Sequence, residues 1–134
     1  MSAGLMDSSR AAPGKTAAIY ELTKWDFYLT LTNWGATILS VILPDSKGLI
    51  FGNLADIALG FQGIGPYINS STTFGALAGR VGNRISGARF VLNGTPYRLY
   101  PNNGRNSIHG GHRGFSRFFW TVTEKVDGQI LPTI

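Results

Sequence analysis

The sequence predicts an all-β chain, and three observations carry that expectation. Residues 27–32 alternate apolar and polar side chains at period two, with Phe27, Leu29 and Leu31 on one face, the pattern of a half-buried strand. Asn93-Gly94 separates two β-rich runs by two residues that both tolerate positive φ, the signature of a tight hairpin turn. The chain also spends 18 glycines and 6 prolines on frequent punctuation, and no long stretch combines 3.6-residue apolar spacing with a helix cap. No internal repeat is present.

The elements follow in order. Residues 1–15 are rich in Ser and Ala without the apolar centre of a signal peptide. Residues 1–16 are therefore expected to be a flexible tail, and Asp7 argues against an organellar transit segment. Strand 27–32 is punctuated by Asn33-Trp34-Gly35, and 36–43 is a second β-rich run ended by Pro44. Asp45-Ser46-Lys47-Gly48 is a tight-turn sequence, so 49–52 is expected to return as a strand. Residues 54–67 are apolar, but Gly60, Gly63, Gly65 and Pro66 interrupt them, which predicts a packed loop rather than a helix. The hairpin pairs 89–92 with 95–100, and Pro96 places the second strand at an edge or delays its start. Residues 119–123 read as one more strand.

Composition bounds the function. The 134 residues suffice for one domain with a core, and 43% hydrophobic against 14% charged residues argues for a globular chain. No apolar run is long enough to span a bilayer, so no membrane partner is expected. The absence of cysteine removes disulfides, thiol chemistry and thiolate metal sites, and suits a cytoplasmic protein. The net charge of +5 is concentrated. Between Asp56 and Glu124 there is no carboxylate, but there are seven arginines (Arg80, Arg84, Arg89, Arg98, Arg105, Arg113, Arg117) interleaved with aromatic residues. Arginines on phosphates and rings under bases would suit a nucleic acid. The chain has neither the Lys/Arg-Gly-aromatic core nor the Gly-x-x-Gly clamp of common RNA-binding modules, so no nucleic-acid partner is expected.

Few residues can carry chemistry. His109 precedes Gly110-Gly111, where missing side chains let a ligand approach the imidazole and the backbone. The plainer reading is a loop histidine with a structural hydrogen bond. His112, next to Arg113, reads as a solvated loop residue. The two histidines lack a third ligand nearby in sequence, so no metal site is expected. The segment from Gly79 to Ile85 lacks the glycine spacing and the terminal Lys-Ser/Thr of a phosphate loop. Asn83 and Arg84 suit a sugar: an amide both donates and accepts, and a guanidinium forks onto two oxygens. Such pairs also tie loops together.

The ordered set is more specific than its parts. Gly79-Arg80-Val81-Gly82-Asn83-Arg84-Ile85, a hairpin turning at Asn93-Gly94, Asn102-Asn103, Asn106-Ser107-Ile108-His109-Gly110-Gly111, and Gly114-Phe115 before Trp120 resemble the N-terminal part of an aldose 1-epimerase (galactose mutarotase). Asn33-Trp34-Gly35-Ala36-Thr37-Ile38, and Tyr67 leading to Phe74-Gly75-Ala76, are also similar to that family. The resemblance runs from about Tyr20 to Asp127. It implies that 17–127 form part of a large, galactose mutarotase-like β-sandwich, followed by a divergent tail over 128–134.

The resemblance also implies an activity, the interconversion of α and β anomers of hexoses such as galactose and glucose. In that reaction a carboxylate takes the anomeric hydroxyl proton, a histidine protonates the ring oxygen, and the opened ring recloses. Asn83, Arg84 and His109 are then the substrate-positioning residues, with no cofactor and no metal. Gly82 departs from the alanine common in the family. The family's general-acid histidine, later aspartate and general-base glutamate fall beyond Ile134, and Glu124 and Asp127 lie outside the matched site. The chain is thus expected to be truncated, to hold the sugar-positioning part of the site only, and to be inactive alone. Self-association through exposed strand edges is a further expectation. The alternative reading is a non-catalytic carbohydrate-binding or regulatory remnant.

Overall fold

The computed structural model describes residues 16–44 and 54–122. Most of the expected N-terminal tail, the turn over 45–48, the returning strand over 49–52 and the tail over 128–134 lie outside the described residues.

An antiparallel four-stranded sheet forms first, with strands β1 (Ile19–Lys24), β2 (Phe27–Thr32), β3 (Thr37–Pro44) and β4 (Leu54–Asp56) in spatial order of sequence. Strand β2 has the bounds its alternation predicts, and β3 is shifted by one residue from the expected run. Strand β1 was not expected. It pairs with β2 from Ile19↔Thr32 to Lys24↔Phe27, leaving Trp25-Asp26 as a two-residue turn with Trp25 at φ 53°. The β2–β3 register shifts at Thr30/Leu31, a bulge that bends the sheet locally.

The stretch expected to be a packed loop contains β4 and a short helix, α1 (Gly65–Asn69). Strand β4 joins the sheet edge through Ile42↔Asp56. Pro66 sits in the first turn of α1, where its fixed φ favours a helix and its missing N–H costs no bond, so the same proline that argues against a long helix starts a short one. Tyr67 of α1 is buried. Its hydroxyl accepts from the Phe61 amide (2.9 Å), and its carbonyl accepts from Trp34 Nε1 (3.1 Å). Ile64, Tyr67 and Ala88 are the buried apolar residues among those described. Four hydroxyl-bearing residues are also buried, Thr32, Thr37, Ser107 and Ser116, and the Thr37 hydroxyl is satisfied by donating to the Trp34 carbonyl at 2.7 Å.

Two ribbons follow. Strands β5 (Arg84–Ile85) and β8 (Ser107–Ile108) pair across the chain, and β6 (Arg89–Leu92) pairs with β7 (Thr95–Arg98). The second ribbon turns at Asn93 and Gly94, both with positive φ (49° and 76°), as the Asn-Gly signature requires. Pro96 lies inside β7 opposite Val91, without delaying the strand, and is tolerated because a two-stranded ribbon is all edge. Phe90 and Tyr97 stack at 5.1 Å, yet all eight strand residues of this ribbon are exposed.

The strand expected over 119–123 is reduced, among the described residues, to one bridge between Phe119 and Trp34. Its partner is the turn at 33–35, where Gly35 has φ 66°, so only one residue is extended opposite it. The joint is otherwise firm: Gly35 donates to Phe118 (2.8 Å), Trp120 donates to Asn33 (2.8 Å), and the Trp34 and Phe119 rings lie 4.8 Å apart.

Candidate sugar-binding site

The β5–β8 ribbon brings Asn83, Arg84 and His109 together. Arg84 lies opposite Ile108, so the flanking Asn83 and His109 meet at the end of the ribbon. Two hydrogen bonds join them. The His109 amide donates to the Asn83 carbonyl (3.1 Å), and the Asn83 amide donates to His109 Nδ1 (3.0 Å). Both residues occupy the left-handed region, Asn83 at φ 58° and His109 at φ 52°. That conformation is uncommon for histidine and is held by the surrounding bonds.

The bond to Nδ1 fixes the imidazole. Nδ1 is an acceptor here, so in the neutral ring Nε2 carries the proton and is a donor. The Asn83 side-chain oxygen is also used, accepting from the Arg84 amide at 2.8 Å. Arg84 Nε donates to Asn103 Oδ1 (2.8 Å), which leaves the two terminal nitrogens of the guanidinium. What remains is chiefly a set of donors, namely Asn83 Nδ2, the Arg84 terminal nitrogens and His109 Nε2–H, beside the second lone pair of Asn83 Oδ1. No carboxylate exists between residues 57 and 122 to act as an acceptor beside them. Such a cluster suits the lone pairs of hydroxyl and ring oxygens. Asn83 and Arg84 are exposed and His109 is half-buried, so a ligand can reach all three.

Gly110 shows why glycine follows His109. It has φ 84°, and a β-carbon there would collide with the carbonyl of Gly79, which passes directly behind it. At Gly82 a β-carbon would meet nothing within 4 Å, so the methyl of the family's alanine has open space.

Sequence reasoning missed the supports of this site. Asn102 grips β8 twice, its Nδ2 donating to the Ile108 carbonyl (3.0 Å) and its Oδ1 accepting from the Ile108 amide (2.8 Å). Asn106 Oδ1 accepts from the Gly87 amide at 3.1 Å. The signal was present as three asparagines in five residues, but asparagine is so common in turns that composition alone does not separate a clamp from a turn. His112 was expected to be a solvated loop residue. It is exposed but packs edge-on against Tyr100 at 4.9 Å. Both line a surface hollow of about 730 Å³ with Arg80, Arg113, Phe115 and Phe118; its wall also includes Ile85 and Gly110, the chain neighbours of Arg84 and His109. Among the described residues no three His, Asp or Glu gather as metal ligands, and no helix is long and apolar enough to cross a membrane.

The fold agrees with the comparisons. The profile of the Aldose 1-epimerase family matches residues 19–131, and the chain belongs to that family. Galactose mutarotase of Sus scrofa is 38% identical over 106 residues, covering 79% of this chain and 30% of the relative. Aldose 1-epimerase of Escherichia coli (strain K12) is 35% identical over 103 residues, covering 77% and 29%. A solved GalM/aldose epimerase homologue from C. elegans superposes with a TM-score of 0.76 at 29% identity, covering 83% of this chain and 33% of that one. The chain therefore shares the galactose mutarotase fold over 83% of its length, corresponding to 33% of the solved homologue, and spans about 30% of the length of the curated relatives it matches.

Proposed function

We propose that this chain carries the sugar-positioning part of an aldose 1-epimerase site and binds hexoses of the galactose or glucose class through Asn83, Arg84 and His109. The observation that supports this reading is the mutual hydrogen bonding of His109 and Asn83, the residue before Arg84; it leaves His109 Nε2 as the donor of the neutral ring. Donors held in this way suit a hemiacetal by its oxygen lone pairs, and positioning of this kind is worth much of a proton-transfer barrier when an acid and a base are also in reach. Anomer interconversion moves protons and no electrons, so the reading invokes no cofactor. A cysteine-free chain acting on a free hexose fits the cytoplasm.

One observation favours the second reading, a carbohydrate-binding chain without catalysis. The groups the site presents are chiefly donors, and residues 57–122 supply no carboxylate base. Binding and turnover therefore separate by experiment. Saturation-transfer NMR with galactose tests binding, and polarimetry on freshly dissolved α-galactose tests turnover. Binding without acceleration supports sugar positioning without proton transfer. Loss of binding contradicts both readings.

A further inference from the structure

We propose that Asn102 and Asn103 are the positioning residues of this site, one dipeptide that sets His109 and Arg84 together and fixes which of their atoms face the ligand. The proposal rests on the sugar-positioning reading and assigns the site's geometry to residues that hold the proposed sugar contacts.

The two side chains act on opposite strands of one ribbon. Asn102 forms a two-point amide pair with the backbone of Ile108, using its donor and its acceptor together (3.0 and 2.8 Å). Ile108 directly precedes His109, so this grip sets where the chain enters the left-handed turn that presents the imidazole. Asn103 reaches the other strand and accepts from Arg84 Nε at 2.8 Å. A guanidinium is planar and rigid, so anchoring Nε determines the direction of its terminal edge. Without that anchor the exposed Arg84 side chain is free among many rotamers, and ordering it then weakens any ligand bond it makes.

The loop that carries the pair is itself closed tightly. The Asn102 and Asn103 amides both donate to the Asn106 carbonyl (3.1 Å each), and the Asn106 amide returns a bond to Asn103 at 3.0 Å. The side chains are thus fixed by a short hairpin turning at Gly104 (φ 58°), and they transmit that order to two strands. Asn103 occupies Arg84 Nε and the Asn83 amide occupies His109 Nδ1, so the terminal guanidinium nitrogens and His109 Nε2–H are the donors left to a ligand.

The two arms are tested separately on the 134-residue chain labelled with ¹⁵N-histidine. Only two histidines are present, so the imidazole spectrum is simple. The parental chain should show an imine-type Nδ1 and a protonated Nε2 at His109. Asn102→Ala should mix the tautomers, whereas Asn103→Ala should leave them unchanged. Galactose binding should fall roughly tenfold in Asn103→Ala, the loss expected from one charge-assisted hydrogen bond. It should return in Asn103→Asp, which keeps the acceptor for Nε. A merely structural Asn103 would instead disturb the amide pattern of the β6–β7 ribbon and would not be rescued. The proposal is overturned by a parental His109 protonated on Nδ1, by an unchanged tautomer in Asn102→Ala, or by parental galactose affinity in Asn103→Ala. If the parental chain binds no galactose, the functional reading falls, and the tautomer of Asn102→Ala still decides the positioning claim.

Discussion

Asn83 and His109 hold one another in place by a pair of reciprocal contacts, amide to carbonyl at 3.1 Å and amide to Nδ1 at 3.0 Å. Two residues 26 positions apart, both with left-handed backbones, share this arrangement. The histidine side chain is thereby a structural acceptor on one edge and a free donor on the other. A loop histidine with a structural bond and a sugar ligand are the two readings the sequence leaves open, and the geometry lets one ring serve both.

Removing either the charged or the neutral arm should weaken sugar binding without unfolding the chain. Arg84→Ala should lower galactose affinity by about one to two decades, since a hydrogen bond to a charged group contributes about 1.5–3 kcal/mol, and His109→Ala by up to about one decade, since a bond between neutral groups contributes about 0.5–1.5 kcal/mol. Arg113→Ala should leave affinity near parental, because Arg113 is an exposed residue of the adjoining hollow and not one of the three proposed sugar contacts. Titration by saturation-transfer NMR measures all three, and equal affinities would remove the assignment.

Two glycine substitutions should differ sharply. Gly82→Ala should be nearly neutral, because its methyl enters open space. Gly110→Ala should disorder the ribbon end, since it meets the Gly79 carbonyl while demanding a left-handed alanine. Amide exchange at Asn83 and His109 reports the difference. Similar protection in both variants would show that the close approach behind Gly110 is unimportant.

Acid should loosen one sheet edge first. The Ala58 and Val41 amides donating to Asp56, with the Ser40 hydroxyl, hold its carboxyl below the usual carboxylate range. A carboxyl lowered on folding stabilises the folded form above its unfolded pKa, and that contribution is lost as pH falls through the lower, folded value. Protection of the Val41 and Ala58 amides should therefore decline as pH is lowered past the ordinary aspartate range, and Asp56→Ala should abolish that dependence. A pH-independent pattern in the parental chain would contradict it.

The exposed β6–β7 ribbon should promote association. A two-stranded ribbon is marginal alone in water, and Val91 and Leu92 are 68% and 55% exposed. Sedimentation should show concentration-dependent self-association, reduced by Val91→Lys, which places a charge on the ribbon. A parental chain that stays monomeric at all concentrations, with the ribbon protected from exchange, would contradict this.

Legibility in the sequence followed physical locality. Strand β2 and the Asn93-Gly94 hairpin are encoded by neighbours, and both were readable from alternation and turn chemistry. Strand β1 has its signal too, with Tyr20 and Leu22 on one face and a two-residue gap before Phe27, but the more polar face obscured it. Helix α1 was hidden because Gly65 and Pro66 break a long helix and start a short one. The candidate site was legible as residue types in order: Asn83, Arg84 and His109 meet as a set. The tethers from Asn102 and Asn103 were not legible, because they depend on which side of the β5–β8 ribbon the loop folds back upon.

The central claim is that this chain positions a hexose without transferring its protons. Exchange spectroscopy on equilibrated galactose, with and without the chain, tests it most directly, because saturation transfer and α–β exchange are recorded on the same sample. The expected result is transfer of saturation to the sugar, abolished by His109→Ala, with anomer exchange at its spontaneous rate. Absence of saturation transfer, or exchange that rises with protein concentration, would contradict the claim.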